Sequence, residues 1–394
     1  MMKKFFNYAL ALLAVALVSP VFVACDDDDD VKTYNLTIEL VLPEGVQSIN
    51  DLEITAVKGA KVVNITQNAL KATVEKLPQG TYEITAKAKV ADDATAKVQG
   101  AAKVDLYADQ VVKIPLSLFY ESPLIFKAIY TAGGKAGYTQ DGYFEIVNNS
   151  DEVQYLDQLV LLYASAAQKA ANAWQASGVT DIYYQGQGPV VAFPGSGKDY
   201  PIQPGQSVVI ANDATNHKEA DPDGADNHSD LSKADWEIYL DYSKMGDVDF
   251  EAPNLSAIFY NNEYMRAFAL GFFNGAYVLA KLPVTPEEYA ANESSYSTTP
   301  GTTSQTRYMG IASKYVLDAV EAWDRDDEEH YPFFLPKDDA HAVTAAVGWS
   351  GKCIRRKVTK IENGRAYYKD TNSSADDFLT DQPQTPGVTP TAVD

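Results

Sequence analysis

The chain has 394 residues, 46% of them hydrophobic and 22% charged, with a formal net charge of −22. That length supports two or three domains with sizeable cores, and the composition is that of a globular protein. Charge of this sign repels phosphate backbones and anionic head groups, so no nucleic acid is expected as a partner; cations, basic peptides and neutral glycans remain compatible.

Lys3 and Lys4 precede an apolar run from Phe5 to Val23, interrupted only by Asn7, Tyr8, Ser19 and Pro20. A basic start, an apolar stretch and small residues before a cleavage point read as a signal peptide over 1–24. A run this long would also suit a retained transmembrane helix. Pro20 near its end and the small Ala24 favour cleavage. Phe22-Val23-Ala24-Cys25 resembles a bacterial lipobox, with Phe22 standing where leucine is usual. The resemblance implies that Cys25 becomes the lipidated first residue of the mature chain. Asp26, Asp27, Asp28, Asp29 and Asp30 resemble the acidic export signal of Bacteroidota surface lipoproteins. That implies an outer-membrane protein, lipid-anchored and facing the exterior, with 25–32 as its acidic tether. Loss of Lys3 and Lys4 would leave a mature charge of about −24. With Cys25 acylated, Cys353 is the one remaining cysteine and no intrachain disulfide can form. No histidine neighbours Cys353 in sequence, so it reads as a buried structural residue and not a nucleophile.

The first periodic segment has Leu36, Ile38, Leu40 and Leu42 at alternate positions, a strand with one buried face, closed by the turn Pro43-Glu44-Gly45. Leu52, Ile54 and Ala56, then Val63 and Ile65, then Val74 and Leu77 continue the rhythm at roughly ten-residue spacing, as in a small antiparallel sandwich. Val104, Leu106, Val112, Ile114 and Leu116 complete the set. Leu77-Pro78-Gln79-Gly80-Thr81-Tyr82 resembles the Leu-Pro-x-Gly-x-Tyr corner of carboxypeptidase-regulatory-like and related Ig-like modules. This implies a prealbumin-like β-sandwich over 33–119, most simply a spacer, whose Tyr82 packs inward.

A second unit is expected over 122–394. Leu124 to Tyr130 reads as a strand, followed by Phe144-Glu145-Ile146-Val147-Asn148-Asn149-Ser150 and by Leu156 to Leu161. Ile202-Gln203-Pro204-Gly205 leads into Val208-Val209-Ile210. Later come Ile354-Arg355-Arg356, then Asp370-Thr371 with Asp377-Phe378, then Thr385-Pro386-Gly387. Together these resemble the lamin-tail module, an Ig-like sandwich. Their spread implies insertions at about 164–200 and 211–310. The fold class is therefore mostly β: two β-sandwich domains, the second with long loop insertions and a few short helices. The whole arrangement resembles lipoproteins of the Bacteroidota that accompany TonB-dependent transporters.

Binding residues are expected on the insertions, because loops on a rigid sandwich carry them. Alanine-rich 165–177 suits a short helix. Thr285-Pro286-Glu287-Glu288 has the cap, N1 proline and first-turn acids of a helix start. Ser/Thr-rich 292–306 reads as mobile. Of the 25 tyrosines, Tyr183, Tyr184, Tyr239, Tyr242, Tyr260 and Tyr264 lie within or beside the insertions. Tyrosine gives rigid amphipathic contact area, so these six form a candidate ligand surface. Core and corner packing is the competing reading.

Chemical motifs are few. Gly195-Ser196-Gly197-Lys198 is followed by Asp199 in place of Ser/Thr and leads into a strand, so it reads as a turn and not a phosphate loop. Glu219, Asp221 and Asp223 precede Gly224, and Asp230 follows, which makes this loop the candidate calcium site. Pro222 and the missing terminal glutamate favour a solvated acidic loop instead. Asp324 to Glu329 beside His330 is weaker still. None of the four histidines forms a zinc-protease pair, and no nucleophile elbow is present. No catalytic residue and no cofactor beyond that calcium is expected, and the chain reads as a non-enzyme. The expected role is a surface binding or accessory lipoprotein beside a TonB-dependent glycan, peptide or iron-complex uptake system. A structural or adhesion lipoprotein is the alternative, a hydrolase a distant third.

Overall fold

Alternation sets the first unit. In β1 (Thr33–Val41), Leu36, Ile38 and Leu40 are buried while Thr37 and Glu39 face outward, the period-two pattern of a half-covered strand. The computed structural model describes Leu17–Val18 and residues 32–394, apart from 60, 67–68, 132, 165–168, 187, 269–273 and 325–328. Cys25 and the run Asp26 to Asp30 lie outside the described residues. The chain divides into two compact units, Met1–Tyr120 and Glu121–Asp394.

In the first unit, β2 (Ile49–Lys58), β3 (Lys61–Thr66), β5 (Gly80–Val90), β6 (Asp93–Leu106) and β8 (Ser117–Tyr120) form one antiparallel sheet in the order β3-β2-β5-β6-β8. In the other sheet, β1 lies between β4 (Lys71–Pro78), antiparallel to it, and β7 (Gln110–Pro115), parallel to it. Ile38, Ile54, Val74, Ile84, Val98 and Ile114 join in one core. The Pro-x-Gly corner behaves as its sequence implied. Tyr82 is buried, and its hydroxyl donates to the Pro78 carbonyl at 2.7 Å.

The second unit stacks two six-stranded sheets. One contains β9 (Leu124–Tyr130), β10 (Tyr143–Asn148), β14 (Ser207–Ala211), β15 (Trp236–Glu237), β22 (Lys352–Arg356) and β23 (Phe378–Pro383), in the order β15-β14-β10-β9-β22-β23. The other contains β11 (Leu159–Ala164), β13 (Val190–Ala192), β16 (Ser256–Phe259), β17 (Gly275–Lys281), β20 (Val316–Trp323) and β21 (Val343–Thr344), in the order β16-β13-β11-β17-β20-β21. Phe126, Phe144, Leu161, Tyr277, Leu279 and Val320 meet in the core shared by the two. The alternate residues Val160, Leu162, Ala276 and Val278 enter a separate core with Met309 and Ile311. Those two belong to β19 (Arg307–Ala312), which pairs with β12 (Ile182–Tyr184) and β18 (Tyr296–Thr298) in a small outer sheet. β11 and most of β17 are thus covered on both faces and continuously buried, and β10 is too, because Tyr143 and Val147 on its other face enter two further small cores.

The expected mostly-β architecture with few short helices is what the chain adopts. The stretches 164–200 and 211–310 hold more than loops, because the central strands β13 and β17 come from them. Alanine-rich 165–177 yields one described turn, α1 (Ala173–Ala176), with a capping box between Asn172 and Gln175. α2 (His217–Ala220) begins the excursion after β14. α3 (Pro286–Ala291) starts as its sequence dictated, with Thr285 and Glu288 in a reciprocal capping box. The Ser/Thr-rich stretch after it includes β18.

The motif Arg356…Asp370-Thr371…Asp377-Phe378 turns out to be a structural knot around α4 (Ser374–Asp377). The buried Arg356 donates through Nε to the Phe126 carbonyl at 2.7 Å and lies against Asp318, Asp370 and Asp377. Its guanidinium also stacks 4.5 Å from the Phe378 ring centroid. Cys353, on β22, is buried, and burial pushes its thiol up to about 12. The Gly195–Lys198 turn is closed by an internal anion: Asp157 accepts from the backbone N–H groups of Gly197, Asp199 and Tyr200, each at 2.9 Å.

Candidate binding surface

After β14 the chain leaves the sheet for a loop that returns at β15. Its first anchor is His217, whose Nε2 lies 3.0 Å from the Asp213 carbonyl and whose Nδ1 lies 2.8 Å from the Tyr138 hydroxyl. Burial lowers the pKa of His217, so it is a neutral ring donating through Nε2 and accepting at Nδ1. The second anchor is His228. Its Nδ1 lies 2.6 Å from Asp141 Oδ2 and its Nε2 3.1 Å from Asp221 Oδ2. Only the doubly protonated imidazole can donate to both carboxylates. Asp141 Oδ2 also accepts from the Tyr130 hydroxyl at 2.8 Å and the Gly134 N–H at 2.9 Å.

This geometry uses up the acidic loop. Asp221 is ion-paired with Lys135 at 2.8 Å, and Lys135 and His228 lower its pKa. Asp230 accepts from the Ser232 N–H and hydroxyl, which holds its pKa down. Glu219 and Asp223 are exposed. The four carboxylates of the calcium candidate therefore point to different tasks. Among the described residues, no group of three or more His, Cys, Asp or Glu side chains is placed to hold a metal ion. The weaker acidic cluster has His330 bonded at 2.8 Å to the buried Glu321.

The tyrosines separate into inside and outside. Tyr183 corrects the expectation of a surface role: it is 2% exposed, with its hydroxyl donating to Asp338 at 2.5 Å. Strand alternation on β12 sends its neighbour the other way. Tyr184 stacks on Trp174 at 4.6 Å, and both border a small cleft with Asn172, Thr180 and Phe333. Tyr239 is half-buried. Tyr242 and Tyr260 lie face to face, with centroids 3.7 Å apart and planes 2° from parallel. Tyr260 is 38% exposed and Tyr264 63%, with Lys244 Nζ 5.8 Å from the Tyr264 ring centroid. Met245 and Val248, on the loop between β15 and β16, are 45% and 57% exposed.

Close by sit the buried Glu237 and the half-buried Asp213 and Asp247. Burial, with Asp247, Glu237 and Asp141 nearby, pushes Asp213 up to about 8. Burial also raises Glu237 to about 7, against the Ala214 and Phe250 N–H groups that favour its carboxylate. The chemistry presented outward is therefore contact chemistry, with aromatic and aliphatic side chains beside carboxylates. Trp174, His228, Asp141, Met245 and Val248 escaped the sequence reading. An aliphatic residue in a loop carries no local mark of exposure, and Asp141 lies 87 residues from its histidine.

Residues 203–385 match the model of a family described as a protein of unknown function, DUF4876. No curated protein matches the chain. A crystal structure of a DUF4876 family protein from Bacteroides thetaiotaomicron VPI-5482 is similar, with a TM-score of 0.59 and 23% identity over 91% of this chain and 99% of that one. Likeness at that identity speaks for the fold alone. Strands β9, β10, β11 and β13 precede Gln203 yet lie inside both large sheets, so the folding unit is wider than the matched segment. Residues 203–385 are thus similar to the DUF4876 family, and the β-rich fold as a whole is similar to that of the Bacteroides protein.

Proposed function

We propose that the chain is a lipoprotein of the outer-membrane surface, anchored through Cys25, that acts as a binding or accessory component beside a TonB-dependent uptake system. The first unit, an Ig-like spacer, separates the membrane anchor from a lamin-tail-like second unit that makes the contact. One observation carries the reading: Met245 and Val248, between β15 and β16, and Tyr260 and Tyr264, between β16 and β17, stand exposed on two loops that are hydrogen-bonded to each other. Apolar side chains gathered on a surface mark interaction sites, and tyrosine supplies contact area at low entropic cost. The acidic run after Cys25 and the strongly negative charge agree with display outside the cell. No catalytic step belongs to this reading, and calcium is left out because Asp221 and Asp230 already have partners.

The test has two arms. Mass spectrometry of the mature protein is expected to show acyl chains on Cys25, and protease added to intact cells is expected to cleave it. Gentle detergent extraction is expected to bring down a stoichiometric β-barrel transporter. A non-acylated N-terminus, or extraction of the chain alone, would overturn the proposal.

A further inference from the structure

The exposed cluster is built, not incidental. The Lys244 N–H donates to the Glu263 carbonyl at 2.7 Å, and the Ser243 hydroxyl to the Met265 carbonyl at 2.5 Å. These bonds lay residues 242–245 beside 260–265, with the buried Met265 holding the pair from beneath. The Tyr242 ring covers one face of Tyr260. Asp247 Oδ2 accepts from the Leu240 N–H at 2.8 Å and fixes the turn that carries Val248. Residues 239–266 hold five acids (Asp241, Asp247, Asp249, Glu251, Glu263) against two bases, and one of these, Lys244, is paired with Glu263. Asp241, Asp249 and Glu251 are exposed.

We propose that this surface docks a protein segment that is both basic and apolar. Its aliphatic or aromatic side chains would settle on Met245, Tyr260 and Tyr264. Its lysines or arginines would meet Asp241, Asp249 and Glu251. An apolar centre with a charged rim is the usual anatomy of a protein contact, the centre supplying affinity and the rim steering and selecting. Other occupants fit less well. Met245 and Val248 offer a glycan no hydrogen bond, and an acidic rim repels an anionic lipid surface. A second copy of this chain would bring like charge against like. The inference rests on the accessory reading and adds to it the chemistry of the partner's docking segment.

The test uses the full mature chain and three synthetic peptides of equal length: lysine with leucine, lysine with serine, and glutamate with leucine. The lysine–leucine peptide is expected to bind at least about tenfold more tightly than either of the others, a difference of about 1.4 kcal/mol. Its binding is expected to weaken with salt and to fall at least about tenfold in the double variant Tyr264→Ser with Met245→Ser, whose melting temperature should match the parent's. Val284→Ser, at an exposed apolar residue outside the cluster, is the control. Equal binding of lysine–serine, an unaffected double variant, self-association that the double variant abolishes, or adsorption of the parent to anionic vesicles would each overturn the inference. Co-extraction separates the two proposals. A transporter still bound by the double variant sinks the docking surface alone, whereas peptide binding with no co-extracted transporter sinks the accessory role.

Discussion

His228 Nδ1 and Asp141 Oδ2 lie 2.6 Å apart in a site closed to solvent, and they tie the 213–230 loop to the segment that precedes β10. Asp221 meets the other ring nitrogen, so one imidazole carries two carboxylates. Removing the ring leaves the buried Asp141 without this hydrogen-bond partner and opens a cavity in the packed site. His228→Ala is expected to cost about 3–5 kcal/mol of second-unit stability. Gly134→Ala should also destabilise, by about 1–3 kcal/mol, because an added Cβ would lie 2.5 Å from His228 Nδ1. Denaturant unfolding followed by a second-unit tryptophan such as Trp236 measures both. Changes below about 0.5 kcal/mol, the size of ordinary surface substitutions, would show the pair to be dispensable.

Arg356 should be the least replaceable charge in the molecule. It is buried among Asp318, Asp370 and Asp377, and it also donates to the Phe126 and Lys369 carbonyls. Lysine keeps the charge but lacks the planar fork that reaches several acceptors at once. Arg356→Lys is therefore expected to lose about 3 kcal/mol or more, and Arg356→Met to leave the second unit largely unfolded. Limited proteolysis of the purified variants reads the outcome, and a protease-resistant Arg356→Met would contradict this account.

Asp213 gives the stability a pH signature. An unfolded aspartate titrates near pH 4, whereas burial and the surrounding acids hold Asp213 at about 8. Between those values the native state keeps a proton that the unfolded chain has released, so this group's contribution to stability falls as pH rises through that window. Asp213→Asn removes the penalty. Its melting temperature should match the parent's near pH 4, gain on it progressively from pH 5 to 8, and hold a constant lead of a few degrees above that. An offset equal at every pH would mean that Asp213 is not the titrating group.

On the proposed anchoring, Cys25→Ser should abolish acylation and move the protein from the membrane fraction to the soluble fraction. Changing Asp26 to Asp30 together to asparagine should leave acylation intact and reduce cleavage by protease added to whole cells. Fractionation and mass spectrometry check the first variant, shaving of intact cells the second. Full surface exposure of the asparagine variant would remove the export role from the acidic run.

The first unit was readable because its strands are covered on one face. Leu36, Ile38 and Leu40 must alternate with polar residues, and Tyr82 must follow its Pro-x-Gly turn. The second unit was harder. Strand β17 is buried on both faces and therefore has no alternation, so a central strand sat unnoticed inside a presumed insertion. The motif residues around Arg356 stood out for their pattern, yet their task is to close the fold. For the surface, residue type singled out the tyrosines but could not tell Tyr183, inside, from Tyr184 beside it. Spacing around Gly224 resembled a cation loop. Lys135 and His228, distant in sequence, claim its key carboxylate.

Cys353 has one more consequence. A sulfur sealed in the sheet, with its proton held up to about 12, offers almost no thiolate to a passing oxidant or mixed disulfide. If Cys25 is acylated, maturation then has no oxidative step, and reductants such as dithiothreitol should leave the folded protein unchanged. A cell could assemble this protein outside its inner membrane without any help from disulfide-forming enzymes.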